Sequence, residues 1–348
     1  ELGAFLERFL SERAPQTHVV PTADLRSFTP SCSRGDRTRY SLKVQDGCDY
    51  WCTYCTIPAA RGRSRSASIA SLVDQARRVA DEGGKEIVIT GVNIGDFGKR
   101  TPGVELPQKE TFLELIRELD KVEGIERYRI SSIEPNLLTD EIIEFCASSR
   151  AFMPHFHVPL QSGSDEVLRL MHRHYDTSLF CHKMERIKEL IPHAFIGIDL
   201  IAGARGETEE EFRRSYEFIE SLPVSRLHIF PYSERPGTKA LEIPHIVSQH
   251  DKHLRVNEML ALSERKMKEF ASGFLGQVRE VLMEHPHTGA EADGPVVMSG
   301  FTDNYLKVSV TLPEGTDTAV LDNTLRPVRL ERLEFNEMGD SYIIGSPV

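Results

Sequence analysis

Three closely spaced cysteines carry the clearest chemical information in this sequence. Cys48, Cys52 and Cys55 follow the spacing C-x3-C-x2-C. Three thiolates on one loop can bind three irons of a cubane iron–sulfur cluster and leave the fourth iron open to another ligand. A structural zinc site needs four protein ligands, usually in two separated pairs. A disulfide framework needs an even set of cysteines in a small secreted domain. The loop therefore predicts an iron–sulfur cluster with one open iron.

The elements that must position this loop alternate between strand and helix. Hydrophobic runs predict strands at residues 41–45, 86–90, 127–131, 155–158, 195–201 and 226–230. Amphipathic periodicity predicts helices at residues 69–82, 111–122, 139–147, 164–172, 177–190 and 208–222. Strict alternation implies a parallel sheet of βαβ units, and six strands fit a partial or full barrel. The cysteine loop follows the first strand, at the carboxyl edge where such folds carry their chemistry.

The pattern changes in the last quarter of the chain. A long charged helix is predicted at residues 251–270, and we place a domain boundary near residue 272. Short strands are predicted beyond it at residues 278–283, 295–299, 305–310, 318–321 and 328–335. Short strands between turn residues are typical of a small all-β barrel.

Composition narrows the cellular setting. The chain has 348 residues, of which 40% are hydrophobic and 27% charged, as in ordinary globular proteins. No apolar stretch is long enough to span a bilayer and no signal peptide is visible, so we expect a cytoplasmic protein without a membrane partner. The formal net charge of -11 argues against broad nonspecific nucleic-acid binding. Arg61, Arg63 and Arg65 form either a solvated loop or a local positive rim for phosphate.

Several motifs resemble those of a known enzyme family. The cysteine spacing, with Tyr54 as the aromatic residue, resembles the radical S-adenosylmethionine (SAM) superfamily. Residues 55–66 (CTIPAARGRSRS), 159–164 (PLQSGS) and 196–203 (IGIDLIAG) resemble its methylthiotransferases. Residues 299–308 (SGFTDNYLKV) resemble a TRAM domain, a small RNA-binding β-barrel. Residues 85–98 and 130–135 look most like the MtaB type, which adds a methylthio group to C2 of N6-threonylcarbamoyladenosine beside the tRNA anticodon.

The resemblance implies an α/β fold with a partial (βα)6 TIM-type radical SAM barrel followed by a small all-β TRAM barrel. The implied domains are a remnant and linker of a missing N-terminal methylthiotransferase domain (1–40), the radical SAM barrel (41–245), a linker helix (246–271) and the TRAM barrel (272–348). In the family, the N-terminal domain holds an auxiliary 4Fe-4S cluster that supplies sulfur. Only Cys32 precedes the cysteine loop, so we expect this chain to lack that second cluster.

The resemblance also implies the cofactors. Cys48, Cys52 and Cys55 would hold a 4Fe-4S cluster, SAM would chelate its open iron, and the deoxyadenosyl radical would take hydrogen from the adenine. No side chain is assigned a catalytic role. Candidate SAM-binding residues are Tyr54, Asn93, Glu134, Gln161, Ser162, Arg173 and Asp199.

Simple structural roles remain open for most of these residues. Asn93 could be a turn residue, Glu134 a solvated carboxylate and Arg173 a surface side chain. Gln161 and Ser162 could merely open a helix, where Ser164 is the better cap. Asp199 is a charge within an apolar strand, which needs a partner if it points inward.

The expected partners are a tRNA anticodon stem-loop and a reductant such as flavodoxin or ferredoxin, acting on a monomer. Related alternatives are an isopentenyladenosine-directed tRNA methylthiotransferase and the ribosomal protein S12 aspartate methylthiotransferase. An alternative from another class is a noncatalytic RNA-binding protein with a structural iron–sulfur cluster.

Overall fold

The computed structural model describes residues 21–22, 25, 28–33, 38–99, 110–284, 296–336 and 341–348. Much of the segment 1–40, expected to be a remnant and linker, lies outside these residues. The described strands are β1 (Ser31–Ser33), β2 (Tyr40–Lys43), β3 (Gln45–Asp46), β4 (Arg65–Ser66), β5 (Glu86–Thr90), β6 (Arg127–Ile130), β7 (His155–His157), β8 (Phe195–Ala202), β9 (Arg226–Pro231), β10 (Val278–Met283), β11 (Val296–Thr302), β12 (Lys307–Leu312), β13 (Leu325–Phe335) and β14 (Ser341–Pro347). The described α-helices are α1 (Ile57–Arg61), α2 (Ile69–Asp81), α3 (Phe112–Leu119), α4 (Asp140–Ser148), α5 (Asp165–Leu170), α6 (Thr177–Leu190), α7 (Glu209–Ser221) and α8 (Gln249–Ser272).

The first part of the molecule is a parallel sheet of strands β2, β5, β6, β7, β8 and β9, called the parallel sheet below. β2 pairs with β5 and β5 with β6, while β7 pairs with β8 and β8 with β9, all in parallel. Parallel bridges from Tyr128 to Phe152 and from Ser132 to His157 join the two groups between β6 and β7. Each of the six predicted strands is therefore present. β1 adds an antiparallel strand beside β2.

The helices of this part form because their apolar residues recur on one side and their first turns are capped. In α2, the Ser68 hydroxyl accepts the Ser71 N–H at 3.3 Å, and Leu72 and Ala76 are fully buried. In α3, Thr111 and Glu114 form a reciprocal capping box. These helices bury their apolar faces in one continuous core with β2, β5 and β6.

Some local predictions need correction. α5 spans Asp165–Leu170 rather than residues 164–172, and it ends before His172, which has a positive φ of 55°. Thr139 occupies the N-cap position of α4, but its side chain makes no capping hydrogen bond. The short helix α1 and the pairing of β3 with β4, which flank the cysteine loop, were not predicted from the sequence.

The second part is a closed barrel of strands β10–β14, called the C-terminal barrel below, in the order β10-β11-β12-β14-β13. The strand predicted at residues 318–321 is wrong, because Thr318–Val320 is a 3-10 helix capped by the Asp317 carboxylate. The closing strand is instead β14, which lies between β12 and β13. Its inward positions include Ser341 and Gly345, so it lacks the apolar alternation that marks a strand in sequence.

The C-terminal barrel packs against the amino-terminal ends of the parallel strands. Arg127, the first residue of β6, donates to the carbonyls of Phe301 and Glu280, both at 2.9 Å. Arg129 donates to the carbonyls of Thr302 and Asp303, both at 2.8 Å. The C-terminal barrel therefore closes the end of the parallel sheet that lies opposite the cysteine loop. Among the described helices, none is long and apolar enough to cross a membrane.

Candidate functional site

The cysteine loop follows β2 and β3 and is held by backbone contacts on both sides. The Cys48 N–H donates to the Gly62 carbonyl at 3.1 Å, and the Thr53 N–H donates to the Met171 carbonyl at 3.1 Å. Gly47, with a φ of 72°, makes the turn into the loop. A Cβ there would lie 2.1 Å from the Arg63 carbonyl oxygen, so only glycine fits.

The three sulfurs lie among hydrogen-bond donors. The Tyr50 N–H points to Cys48 Sγ at 3.3 Å, and the Ile57 N–H points to Cys55 Sγ at 3.4 Å. Arg173 Nη1 lies 3.2 Å from Cys52 Sγ. Donors of this kind stabilise thiolates and tune the potential of the clusters they bind. The chemistry of the donor set therefore fits a three-thiolate iron–sulfur cluster.

Burial of these thiols opposes their ionisation when no metal is bound. Burial is the largest cause that raises the pKa of Cys48 to about 11, and it also raises the pKa of Cys52. Metal binding must then displace the thiol protons. Among the described residues, no three His, Cys, Asp or Glu side chains converge as ligands of a single ion. Thiolates that bind three separate irons do not have to converge in that way.

Arg173 is the centre of a buried polar cluster beside the loop. It forms an ion pair with Glu134, and its side chain is only 3% exposed. Its Nη1 also lies 3.2 Å from the Tyr54 hydroxyl, and its Nε donates to Tyr175 Oη at 3.0 Å. Burial raises the pKa of Tyr54, which keeps the phenol protonated. Arg173 and Glu134 are thus neither a surface arginine nor a solvated carboxylate, as the simple alternatives would have them.

Asn93 lies on the other side of the loop, and its side chain is incompletely satisfied. Its backbone N–H donates to Gln45 Oε1 at 2.8 Å, which fixes the turn after β5. Its side-chain Nδ2 lies 3.8 Å from Cys48 Sγ and 3.3 Å from Asp96 Oδ2. Among the described residues, its buried Oδ1 has no hydrogen-bond partner. A buried acceptor without a partner next to Cys48 fits a site for a polar cofactor.

Tyr54, Gln161 and Asp199 line one cavity of about 320 Å³ at the carboxyl end of β8 and β9, called the upper cavity below. Gln161 adopts a φ of 69° and bridges to Leu200, so it belongs to the sheet edge and not to α5. Ser162 is buried, and its hydroxyl accepts the Ser164 N–H at 3.2 Å. The structure therefore brings three of the candidates to one cavity, whereas Ser162 is engaged with the start of α5.

His157 is a site residue that the sequence did not single out. Its Nε2 lies 2.7 Å from Asp199 Oδ1, which supplies the partner that the charge of Asp199 requires. His228 lies next to it, with a distance of 5.1 Å between the ring centroids. Side chains alternate between the two faces of each strand, and β8 and β9 pair so that His228 lies opposite Asp199. A polar residue within each of these two apolar strands is the sequence signal for this group.

A second cavity, called the lower cavity below, lies between the parallel sheet and the C-terminal barrel. Its volume is about 420 Å³. Phe195 and Gly197 of β8 and His228 of β9 line it, while Asp199 and Phe230 line the upper cavity. Alternate residues of a strand share one face. The two cavities are therefore successive parts of one inner surface, and the pair formed by His157 and Asp199 lies between them.

The basic residues near the loop do not form one continuous rim. Arg61 and Arg63 are exposed, but Arg65 is buried and forms an ion pair with Asp46 at 2.9 Å. Trp51, within the cysteine loop, is 65% exposed. The exposed face beside the loop therefore consists of Trp51 with Arg61 and Arg63.

Comparison with known proteins places these features in context. A family model described as the Radical SAM superfamily matches residues 42–219. The threonylcarbamoyladenosine tRNA methylthiotransferase MtaB of Bacillus subtilis is 39% identical over 87% of this chain and 66% of that protein. The tRNA-2-methylthio-N(6)-dimethylallyladenosine synthase of Thermobifida fusca is 31% identical over 99% of this chain and 67% of that protein.

The chain thus spans slightly less than two thirds of the length of the Bacillus subtilis relative. Among solved structures, the radical SAM enzyme coproporphyrinogen III oxidase of Escherichia coli superposes with a TM-score of 0.47 and 17% identity. The superposition covers 64% of this chain and 51% of that chain.

Proposed function

The chain belongs to the radical SAM superfamily and, within it, to the methylthiotransferase family, and from this premise we propose that it carries the radical-generating part of a tRNA methylthiotransferase. The proposed substrate is N6-threonylcarbamoyladenosine beside the anticodon of tRNA, and the proposed product carries a methylthio group at C2 of that adenine. The observation that carries the proposal is the loop of Cys48, Cys52 and Cys55 at the carboxyl edge of the parallel sheet, next to buried Arg173.

The three cysteines are proposed to hold a 4Fe-4S cluster and SAM. When bound, these cofactors supply a deoxyadenosyl radical that can remove hydrogen from an unreactive carbon. The chain's own residues hold and shield this chemistry. Arg173 places a fixed positive charge 3.2 Å from Cys52 Sγ, which offsets negative charge on the sulfur. Its donors are already engaged by Glu134, Tyr54 and Tyr175, so Arg173 acts as a positioning residue.

Other candidates offer acceptors and donors to SAM. The unpartnered Asn93 Oδ1 is suited to accept from the SAM ammonium group. Gln161 and Asp199 in the upper cavity are suited to bind ribose hydroxyls. His157 orients Asp199 through its 2.7 Å contact.

The C-terminal barrel is proposed to be a TRAM domain that contacts the anticodon stem. Support comes from its closed five-stranded topology and from exposed arginines on β13, which include Arg326 and Arg329. The proposed sulfur donor is an auxiliary 4Fe-4S cluster, and we do not assign Cys32, Cys146 or Cys181 as its ligands. The proposal also includes a cytoplasmic monomer and a flavodoxin or ferredoxin as the reductant.

Mass spectrometry of tRNA nucleosides from a deletion strain tests the substrate. We expect loss of the methylthio form of N6-threonylcarbamoyladenosine, accumulation of its precursor, and rescue by the intact gene but not by its Cys52→Ala variant. Normal methylthio-threonylcarbamoyladenosine would contradict the proposal. Loss of methylthio-isopentenyladenosine in its place would assign the enzyme to the other tRNA substrate.

A second measurement separates an enzyme from a noncatalytic RNA-binding protein. Anaerobically reconstituted protein is incubated with SAM and dithionite, and deoxyadenosine is quantified by chromatography. We expect deoxyadenosine from the wild-type protein and none from the Cys52→Ala variant. Stable iron binding without deoxyadenosine would instead favour a structural cluster.

A further inference from the structure

Trp51 is the most exposed of the Trp, Tyr and Phe side chains that the structure describes. An indole presents a large flat apolar face, and leaving that face in water is unfavourable. Its ring joins none of the apolar clusters formed by the described residues. The ring is therefore available to a binding partner.

The ring lies close to the upper cavity. Tyr54, which lines that cavity, is three residues further along the cysteine loop. Three residues span at most about 11 Å, a distance that about three stacked nucleotides cover at about 3.4 Å each. A base in the upper cavity and a nearby base at Trp51 can therefore belong to one strand.

The neighbouring arginine segment carries more positive charge than its carboxylate neutralises. Asp46 pairs with Arg65 at 2.9 Å and with Lys43 at 3.1 Å, and Arg61 approaches it at 4.0 Å. Since one carboxylate balances one cation, this group keeps a net positive charge although the whole chain has a formal charge of -11. Arg61 and Arg63 are exposed, so they present that charge to a polyanion.

Polar contacts hold these arginines beside the cysteine loop. The Cys48 N–H donates at 3.1 Å to the carbonyl of Gly62, which lies between the two arginines in the chain. The Ser64 N–H donates to Asp49 Oδ1 at 3.2 Å. The two segments therefore form one face, in which a flat aromatic surface adjoins cations. Single-stranded nucleic acid binds to faces of this kind, because its bases stack on aromatic rings and its phosphates pair with cations.

We propose that Trp51 stacks on an unpaired base next to the target adenosine of the RNA, while Arg61 and Arg63 bind phosphates of the same strand. This inference rests on the proposed function and deepens it by assigning an RNA contact to the cysteine loop. An enzyme that acts on a base takes that base out of its stack. The adjacent base then loses a stacking partner, and the Trp51 ring replaces it.

RNA binding with and without the flanking base tests the stacking contact. The probes are an anticodon stem-loop RNA that carries N6-threonylcarbamoyladenosine and two versions that lack the base on its 5′ or its 3′ side. Affinities for the reconstituted protein are measured by fluorescence anisotropy of end-labelled RNA. We expect loss of one of these bases to weaken wild-type binding about tenfold, as loss of one aromatic stack does. Trp51→Ala should weaken binding of the intact RNA similarly and show no further loss with that abasic RNA.

Two variants serve as controls. Trp51→Phe keeps a ring at the same place and should retain the dependence on the flanking base. Phe335→Ala removes an exposed ring from β13 and should leave the ratio of intact to abasic affinity at its wild-type value. Iron and sulfide content per chain shows that the loop of each variant still holds its cluster. A wild-type ratio in Trp51→Ala would overturn the inference, as would equal or absent wild-type binding of all three RNAs.

Intrinsic fluorescence reports on the same contact directly, because Trp51 is the single tryptophan of the chain. Saturating intact RNA should quench the emission more strongly than the abasic RNA that binds weakly. Emission that changes with protein concentration but not with RNA would place a second protein surface on Trp51 and overturn the inference.

The salt dependence of binding tests the phosphate contacts. Each phosphate contact on a single strand contributes about 0.7 to the slope of log affinity against log salt. The double variant Arg61→Gln with Arg63→Gln should therefore lower that slope by about 1.4. Arg77→Gln is the control, because Arg77 is an exposed arginine on α2 that pairs with Asp74, and the slope should stay unchanged. An unchanged slope in the double variant would overturn the phosphate assignment.

The outcome is separable from that of the proposed function. The binding assays use neither reductant nor SAM, so they can support the stacking contact when deoxyadenosine formation fails. Conversely, a protein that forms the methylthio product but binds intact and abasic RNA alike retains its proposed function and loses the assignment of Trp51.

Discussion

At the scale of single residues, the site depends on buried polar groups that each contact several partners. Arg173 has the clearest role of this kind, because one guanidinium contacts a cysteine sulfur, two phenols and a carboxylate. Truncating one partner of a buried ion pair leaves the other charge desolvated. The stability of the site and its chemistry should therefore respond together when Arg173 is changed.

We predict that Arg173→Met lowers the free energy of unfolding by about 3 kcal/mol, since Glu134 is left without this cation. Deoxyadenosine formation should fall along with it. Denaturant unfolding and chromatography measure the two effects. Arg169→Gln is the control, because its pair with Glu166 lies on the surface with the Arg169 side chain 68% exposed. An Arg173→Met protein as stable and active as Arg169→Gln would refute the assignment.

His155 provides a prediction about pH at the same scale. Burial is the main cause that holds its pKa well below the usual 6.5, and the charges of Arg129 and Arg39 and the neighbouring His157 and His228 act in the same direction. The folded protein keeps His155 neutral while the unfolded chain takes up a proton. Its contribution to stability is therefore present above about pH 6.5 and is lost as the pH falls.

We expect His155→Phe to reduce this loss of stability, because phenylalanine can keep the ring contact with Tyr305, which lies 4.3 Å away, and cannot titrate. Denaturant unfolding of both proteins at pH 5.5 and pH 7.5, values chosen about one unit either side of the ordinary histidine pKa, measures the difference. The prediction fails if the two proteins lose the same stability on acidification.

At the scale of elements, strand β8 organises the inner surface. Its alternate residues line the two cavities in succession, and Gly197 keeps the space between them open. A Cβ at position 197 would lie 3.2 Å from the Phe195 ring and 3.5 Å from His228 Nε2. A larger side chain at position 197 would therefore project into the lower cavity. Position 197 is far from the cysteine loop in the sequence.

We predict that Gly197→Val prevents substrate modification while the protein still binds its cluster. The added methyl groups occupy the cavity, at a cost in stability of about 1–3 kcal/mol from overpacking. Iron and sulfide content per chain and methylthio product formation are the measurements. Gly273→Val is the control, because Gly273 has a negative φ and a Cβ there would meet only the Phe270 carbonyl oxygen, at 3.4 Å. Full product formation by Gly197→Val would show that substrate does not use this space.

At the scale of the whole molecule, buried charged side chains as well as apolar contacts join the parallel sheet to the C-terminal barrel. Arg129 and Glu86 are 1% and 0% exposed, and Arg129 also donates to two carbonyls of the C-terminal barrel. The Asn304 side chain adds a 3.2 Å hydrogen bond to the His193 carbonyl. The C-terminal barrel is thus fixed to the parallel sheet by both kinds of contact.

We predict that Arg129→Leu destabilises the protein by about 3–5 kcal/mol, because Glu86 becomes a buried charge without its partner. Calorimetry should then show separate unfolding of the two parts. The double variant Glu86→Leu with Arg129→Leu should recover much of the loss, since neither member of this ion pair is then left buried without the other. A double variant less stable than the single one would contradict this account.

The sequence by itself determined the cysteine loop, the six parallel strands and most helices. These features are local: thiol spacing, alternation of hydrophobic runs and capping residues are read within a few neighbouring positions. The same reasoning failed at β14, where inward Ser341 and Gly345 give no apolar pattern, and at Thr318–Val320, where a strand was predicted and a 3-10 helix formed.

Only the tertiary structure decided which distant side chains meet. The contact of His157 with Asp199 depends on the register of β7 against β8. The burial of Arg173 depends on its approach to Cys52 and Glu134. Lys307 reaches the lower cavity only because the C-terminal barrel packs on the strand ends. Sequence periodicity sets which face a residue occupies, but contacts between faces follow from packing of elements that are far apart in the chain.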